Sequence, residues 1–124
     1  MIVLDEQLGD PLIITLIERW YSGAVIIVRD LRPHARLLDP EIPHYLLQLR
    51  QPTFVTINHN HSWKREMTHR CYSLVCLKLG QNETTRVPSA LLREVFSTSL
   101  FRTKLQRMGK AISWSKSEIK YFEL

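Results

Sequence analysis

Residues 2–28 read IVLDEQLGDPLIITLIERWYSGAVIIV, and this stretch predicts a strand, a helix and a second strand. The short apolar run Ile2–Leu4 predicts a buried strand. Asp10 and Pro11 predict an N-cap and the first residue of a helix, and the apolar residues that follow recur at helical spacing. Residues 24–28 are apolar and largely β-branched, as in a strand. This order predicts two parallel strands joined by a crossover helix.

The same alternation continues along the chain. Asp39 and Pro40 predict the start of another helix. The pattern then predicts strands at 53–57 and 71–79, helices at 87–96 and 99–108, and strands at 111–115 and 119–122. Gly109 is expected to cap the last of these helices. We therefore expect an α/β domain with a mainly parallel sheet, to which a C-terminal β-hairpin adds antiparallel pairing at one edge.

Length and composition favour a single domain spanning residues 1–124. The chain has 124 residues and a mass of 14.6 kDa, which suits one compact unit. It is 44% hydrophobic and 23% charged, which excludes disordered, collagen-like and coiled-coil classes. No apolar run approaches about 20 residues, and acidic residues follow the first apolar run without the basic segment of a signal peptide. We therefore expect a cytoplasmic protein without a membrane partner.

The excess positive charge lies in the last third of the sequence. The net charge is +5; residues 1–85 hold nine basic and nine acidic residues, and residues 86–124 hold eight basic and three acidic residues. A basic sector of this kind suits a polyanion such as RNA. The alternative interpretation is a solvated helix face followed by a soluble hairpin. If RNA binds, the candidate contacts to its phosphate backbone are Arg102, Lys104, Arg107 and Lys110.

The chain has two cysteines, Cys71 and Cys76, and both lie in an apolar stretch. A spacing of five residues would place them on opposite faces of a strand, so a disulfide between them is not expected. We interpret both as thiols that fill the core.

Polar side chains cluster where the predicted strands end. Ligands of open α/β sheets bind beyond the carboxyl ends of the strands, so Asp5, Glu41, Asn58 and His61 are expected to converge on one cleft. Carboxylates with further oxygen and nitrogen donors suit Mg²⁺ or Mn²⁺. Such an ion can support in-line displacement at a phosphodiester. The alternative for Glu41 is a helix cap, the commoner role of an acid at a helix start.

Five short segments together resemble a known family. In chain order they are Leu4-Asp5-Glu6, Val28-Arg29-Asp30-Leu31, Asp39-Pro40-Glu41-Ile42, Val55-Thr56-Ile57-Asn58 and Arg107-Met108-Gly109-Lys110. The set spans nearly the whole chain and resembles the small prokaryotic PIN-like proteins, which are relatives of the VapC toxin nucleases. The resemblance implies a three-layer α/β/α PIN-like fold and descent from nucleases that depend on a divalent metal.

The resemblance also assigns the site residues. Asp5 matches the acid after the first strand, and Glu41, or less well Asp39, matches the acid of the third segment. Asn58 matches the Asp or Asn after the third strand, and His61 stands where a further Asp is usual. Asn58 and His61 remove negative charge, which should weaken Mg²⁺ binding, whereas imidazole tolerates Mn²⁺ better.

Two functions follow from the resemblance, and a third interpretation applies if the motif match is accidental. The first is a metal-dependent ribonuclease, the toxin component of a toxin–antitoxin pair, with Asp5 and Glu41 as its catalytic acids. The alternative is a catalytically degenerate PIN-like protein that binds a partner protein or nucleic acid without cleavage. The third interpretation is an unrelated α/β domain. A small antitoxin protein is expected from the resemblance alone, and the sequence leaves open whether the chain forms homo-oligomers.

Overall fold

The computed structural model describes residues 1–31, 41–57, 68–79, 87–115 and 118–124. Its strands are β1 (Ile2–Leu4), β2 (Val25–Ile27), β3 (Thr53–Thr56), β4 (Ser73–Leu77), β5 (Lys110–Ser115) and β6 (Glu118–Glu123). Its α-helices are α1 (Pro11–Glu18), α2 (Ile42–Leu46), α3 (Val87–Ser97) and α4 (Lys104–Arg107), and two 3-10 turns follow β1 and β2 at Glu6–Leu8 and Val28–Leu31.

The described strands form a six-stranded sheet in the order β2-β1-β3-β4-β5-β6. The first five strands are parallel, and β6 pairs antiparallel with β5. The predictions of an α/β domain, a mainly parallel sheet and a C-terminal antiparallel hairpin are confirmed. Asp10 is also confirmed as an N-cap, because its carboxylate accepts a hydrogen bond from the Leu12 N–H at 2.8 Å.

Helices pack on both faces of the sheet because its strands alternate their apolar side chains. One core contains the larger set of buried residues, from α1, α3 and the strands: Ile2, Leu4, Leu8, Ile13, Ile17, Val55, Val75, Leu77, Leu91, Leu92, Val95, Phe101 and Ile112. The opposite core, covered by α2, contains Val3, Val28, Ile42, Leu46, Phe54, Tyr72, Leu74 and Ala111. The described elements therefore form three layers.

The position of β1 in the sheet creates a topological switch point. β1 lies between β2 and β3. The chain leaves β1 toward β2 on one side, and it leaves β3 toward β4 on the other side. Because these two connections diverge, the carboxyl ends of β1 and β3 are the position at which ligands bind in open α/β sheets.

The predicted helix over residues 99–108 is only partly correct. Turns occupy its first half, and α4 begins at Lys104. A capping box sets that start: Thr103 Oγ1 accepts from the Gln106 N–H at 3.2 Å, and Gln106 Oε1 accepts from the Thr103 N–H at 2.9 Å. Gly109 is confirmed as the residue after the helix, since its φ of 76° is the left-handed conformation that glycine favours.

The two cysteines differ in their environments. Cys76 lies in β4 and is buried, as predicted, whereas the prediction was wrong for Cys71, which is exposed and precedes the strand. The predicted strand began at residue 71, which is two residues before the actual start of β4 at Ser73. Burial raises the pKa of the Cys76 thiol to about 11, with nearby Lys78 opposing the shift.

We expect one thiol of the native protein to react with a thiol-specific reagent and the other to be protected. Cys71 is accessible, whereas Cys76 is enclosed and its raised pKa leaves little thiolate near pH 8. Titration with a chromogenic disulfide reagent should count one thiol in native protein and two in denaturant. Cys71→Ser should remove the native signal, and rapid modification of both thiols without denaturant would contradict the burial of Cys76.

Candidate functional site

Asp5 lies at the switch point and joins the ends of β1 and β3. Its Oδ2 accepts a hydrogen bond from Thr56 Oγ1 at 2.7 Å, and its Oδ1 accepts one from the Glu6 N–H at 2.8 Å. Its own N–H donates to the Val55 carbonyl at 2.9 Å. Thr56 is 1% exposed, so it holds Asp5 from inside the sheet while the carboxylate itself is half-buried. The carboxylate is thus fixed at the switch point.

Further acidic groups follow the strands at the same edge. Glu6 is exposed and comes directly after Asp5 in the chain. Asp30 lies in the 3-10 turn after β2, and its Oδ2 accepts from the Ile27 N–H at 3.3 Å. Both Asp5 and Asp30 therefore bond backbone N–H groups while remaining at the rim of the sheet. The local cause is the same, since Asp5 lies directly after a parallel strand and Asp30 lies in the turn that follows one.

Glu41 opens α2, in the connection from the carboxyl end of β2 to the amino end of β3. Its carboxylate accepts no capping hydrogen bond from α2, whose residues are all described, so the expected cap role does not apply to it. The other two predicted ligands, Asn58 and His61, lie outside the described residues. Within the described part of the chain, no three His, Cys, Asp or Glu side chains form a group that could hold a metal ion.

The predicted RNA contacts lie at the opposite end of the parallel strands from Asp5, at the edge of the sheet where those strands begin. Arg102 and Lys104 are exposed in the segment that precedes β5, and Lys110 begins that strand. Burial lowers the pKa of the Met1 amino group, and the positive charges of Lys104 and Arg107 lower it further. Met1 and Asp5 are four residues apart, so roughly 13 Å of extended chain, at about 3.3 Å per residue, separates the two edges.

Arg107 differs from the other three basic residues because it is only 5% exposed. Its Nη1 donates to the carbonyl oxygens of Phe101 and Arg102 at 2.9 and 3.1 Å. Its guanidinium carbon lies 3.9 Å from the centre of the Phe96 ring, in a cation–π contact. Burial lowers the pKa of Arg107, and Tyr21 opposes that shift. Arg107 therefore organises the loop before α4, a role that its sequence position did not indicate.

Thr56 is the residue of the carboxyl edge that the sequence analysis did not single out as functional. The available signal was its position as a polar residue at the end of a strand, two residues before the polar segment that begins at Asn58. A buried hydroxyl at such a position needs a hydrogen-bond partner, and Asp5 provides it.

Comparisons with known proteins add no assignment: no family model, curated protein or solved structure matches the chain. In the described ranges, no helix combines the length and apolar character needed to cross a membrane.

Proposed function

We propose that this chain is a PIN-like, metal-dependent ribonuclease that acts in the cytoplasm as the toxin component of a toxin–antitoxin pair. The observation that carries the proposal is the Asp5 carboxylate, fixed by Thr56 and the Glu6 N–H at the switch point of a parallel sheet. This is the position at which open α/β sheets bind their ligands. The resemblance to PIN-like proteins places a catalytic acid at the same point.

The donor chemistry of this edge fits a hard divalent cation only in part. Asp5 and Glu41 would supply the anionic oxygens, and Asn58 and His61 would complete the set from outside the described residues. Each Asp5 oxygen accepts one described hydrogen bond, which leaves further lone-pair capacity on both. A bound Mg²⁺ or Mn²⁺ supplies activation of water and stabilisation of charge on the phosphodiester. Thr56 acts through Asp5, since it orients that carboxylate.

A second candidate function is favoured by the division of charge between the two edges. A PIN-like protein that binds RNA or a small antitoxin protein without cleavage needs the basic residues but not a complete set of acids. One observation favours it: Arg102, Lys104 and Lys110 lie at the edge opposite Asp5. Both candidate functions require the same fold, and only the first includes RNA cleavage.

Cleavage of RNA under controlled metal supply tests the first candidate against the second. Purified full chain should degrade a mixed RNA pool when Mn²⁺ is added, and more slowly with Mg²⁺ because Asn58 and His61 replace carboxylates. Removal of the metal with EDTA should stop the reaction. Folded protein that binds RNA with steep salt dependence but cleaves with neither ion would reject the nuclease and leave the binding protein.

A further inference from the structure

We propose that a cleft at the amino-terminal edge of the sheet binds a phosphomonoester group. The cleft has a volume of about 310 Å³. Tyr21 and Ser22, which precede β2, and Arg102 and Arg107, which precede β5, place it at this edge. It lies opposite Asp5, so the inference goes beyond the proposed nuclease site and does not depend on it.

The charge in the cleft is entirely positive among the described residues. Arg93, Arg102 and Arg107 line it together with aromatic and hydroxyl side chains, and no described carboxylate does. No carboxylate in the described part of the chain forms an ion pair with any of these three arginines. Three positive side chains that line one cleft raise its electrostatic potential, which favours the binding of an anion.

Arg107 is held in advance of any ligand. Its bonds to two carbonyl oxygens and its contact with Phe96 fix the plane of the guanidinium. Its Nε is enclosed and has no hydrogen-bond partner among the described residues, which is unusual for a buried donor. The cleft is therefore lined by a guanidinium that is fixed before a ligand binds and that keeps one N–H without a partner among the described residues.

The wall of the cleft is a rigid aromatic cluster. Trp20, Tyr21 and Phe96 meet edge to face, with ring centres 5.7 to 6.1 Å apart. Trp20 is anchored because its Nε1 donates to Ser89 Oγ at 2.9 Å. Arg93 and Arg102 are exposed beside this wall, so their side chains can reach a ligand in the cleft without a change in the core.

The chemistry favours a phosphomonoester over a single carboxylate. A guanidinium presents parallel N–H groups that match two oxygens of one anion, and a phosphomonoester offers three such oxygens and up to two negative charges. Three arginines around one small cleft match that number of oxygens and that charge. The group could belong to a nucleoside 5′-monophosphate or to the 5′-phosphate end of an RNA, and inorganic phosphate, although not an ester, presents the same oxygens and charge.

Calorimetric titration of the full chain, in EDTA and at constant ionic strength, tests the proposal without any metal-dependent step. The probes are inorganic phosphate, adenosine 5′-monophosphate, and one short RNA oligonucleotide with either a 5′-phosphate or a 5′-hydroxyl. Saturable binding is expected for at least one phosphomonoester, and the probe with the highest affinity identifies the source of the group. Arg93→Gln and Arg102→Gln should each weaken that binding about tenfold, as for loss of one charged hydrogen bond.

Arg29→Gln is the matched control, because Arg29 is exposed in the turn after β2, at the opposite edge. It should leave the affinity unchanged. Absence of saturable binding by any phosphomonoester would overturn the proposal, as would equal weakening by Arg29→Gln. Equal affinity for the 5′-hydroxyl and 5′-phosphate oligonucleotides, without binding of the small probes, would also overturn it. Because EDTA is present throughout, failure here is distinguishable from failure of the nuclease proposal.

Discussion

Replacing Asp5 with asparagine is expected to reduce metal-dependent RNA cleavage at least about 100-fold, since even indirect partners of a metal ligand commonly change activity by 10–100-fold. The substitution removes one negative charge at the switch point and exchanges a hard anionic oxygen for an amide. Initial cleavage rates of a defined RNA, measured with Mn²⁺ for the wild type and the variant, give the ratio directly.

The fold should tolerate this change. The amide oxygen of an asparagine can still accept the Glu6 N–H, and the Thr56 hydroxyl can reverse its role and accept from the amide nitrogen. Asp10→Asn is the matched control. The Asp10 carboxylate accepts from the Leu12 N–H at the start of a helix, just as the Asp5 carboxylate accepts from the Glu6 N–H at the start of a 3-10 turn. This control should leave the cleavage rate unchanged. Undiminished cleavage by Asp5→Asn, or equal loss with Asp10→Asn, would remove Asp5 from the proposed site.

Local signals made the strands and the start of α1 predictable. Apolar runs marked β1 and β2, and the Asp10-Pro11 pair marked the start of α1, because a cap and a fixed φ act over only two or three residues. The late start of α4 also had a local signal. Thr103 and Gln106 have the spacing of a capping box, which indicates a helix that starts at Lys104. The apolar periodicity of the preceding residues favoured an earlier start.

The strand order depends on information that no short segment contains. The sequence predicted parallel pairing, but it could not show that β3 would cross over and place β1 between β2 and β3. The Asp5–Thr56 hydrogen bond depends on that choice, because it joins two residues 51 positions apart. Its place after a predicted strand could therefore identify Asp5 as a candidate site residue, but it could not identify the hydrogen-bond partner of Asp5.

The charge count located the basic sector along the chain but not in space. Arg102 and Lys104 precede β5, so the fold carries them to the edge where parallel strands begin, away from Asp5. Nothing in the local sequence separates the buried Arg107 from its exposed neighbours, since its environment is created by distant Phe96 and Tyr21. The sequence could predict a polyanion-binding chain, but the separation of its two edges required the structure.

Arg107→Met is expected to lower the free energy of unfolding by about 2–4 kcal/mol. The variant keeps much of the aliphatic volume and removes an enclosed, unpaired Nε, which by itself would stabilise the native state. It also deprives the Phe101 and Arg102 carbonyl oxygens of their donor, and an unsatisfied buried polar group costs about 1–3 kcal/mol. The loss should dominate because these acceptors belong to the backbone and remain after the substitution.

Urea unfolding followed by tryptophan fluorescence measures this change, with Arg102→Met as the matched control. Arg102 is exposed, so its replacement should change the free energy of unfolding by less than about 0.5 kcal/mol. Arg107→Lys should lie between the wild type and Arg107→Met, because an ammonium lacks the planar fork and the ring contact of a guanidinium. If Arg107→Met is as stable as the wild type, water molecules replace the guanidinium as hydrogen-bond donors to the two carbonyl oxygens. The loop before α4, and with it the floor of the phosphate cleft, would then not depend on this guanidinium.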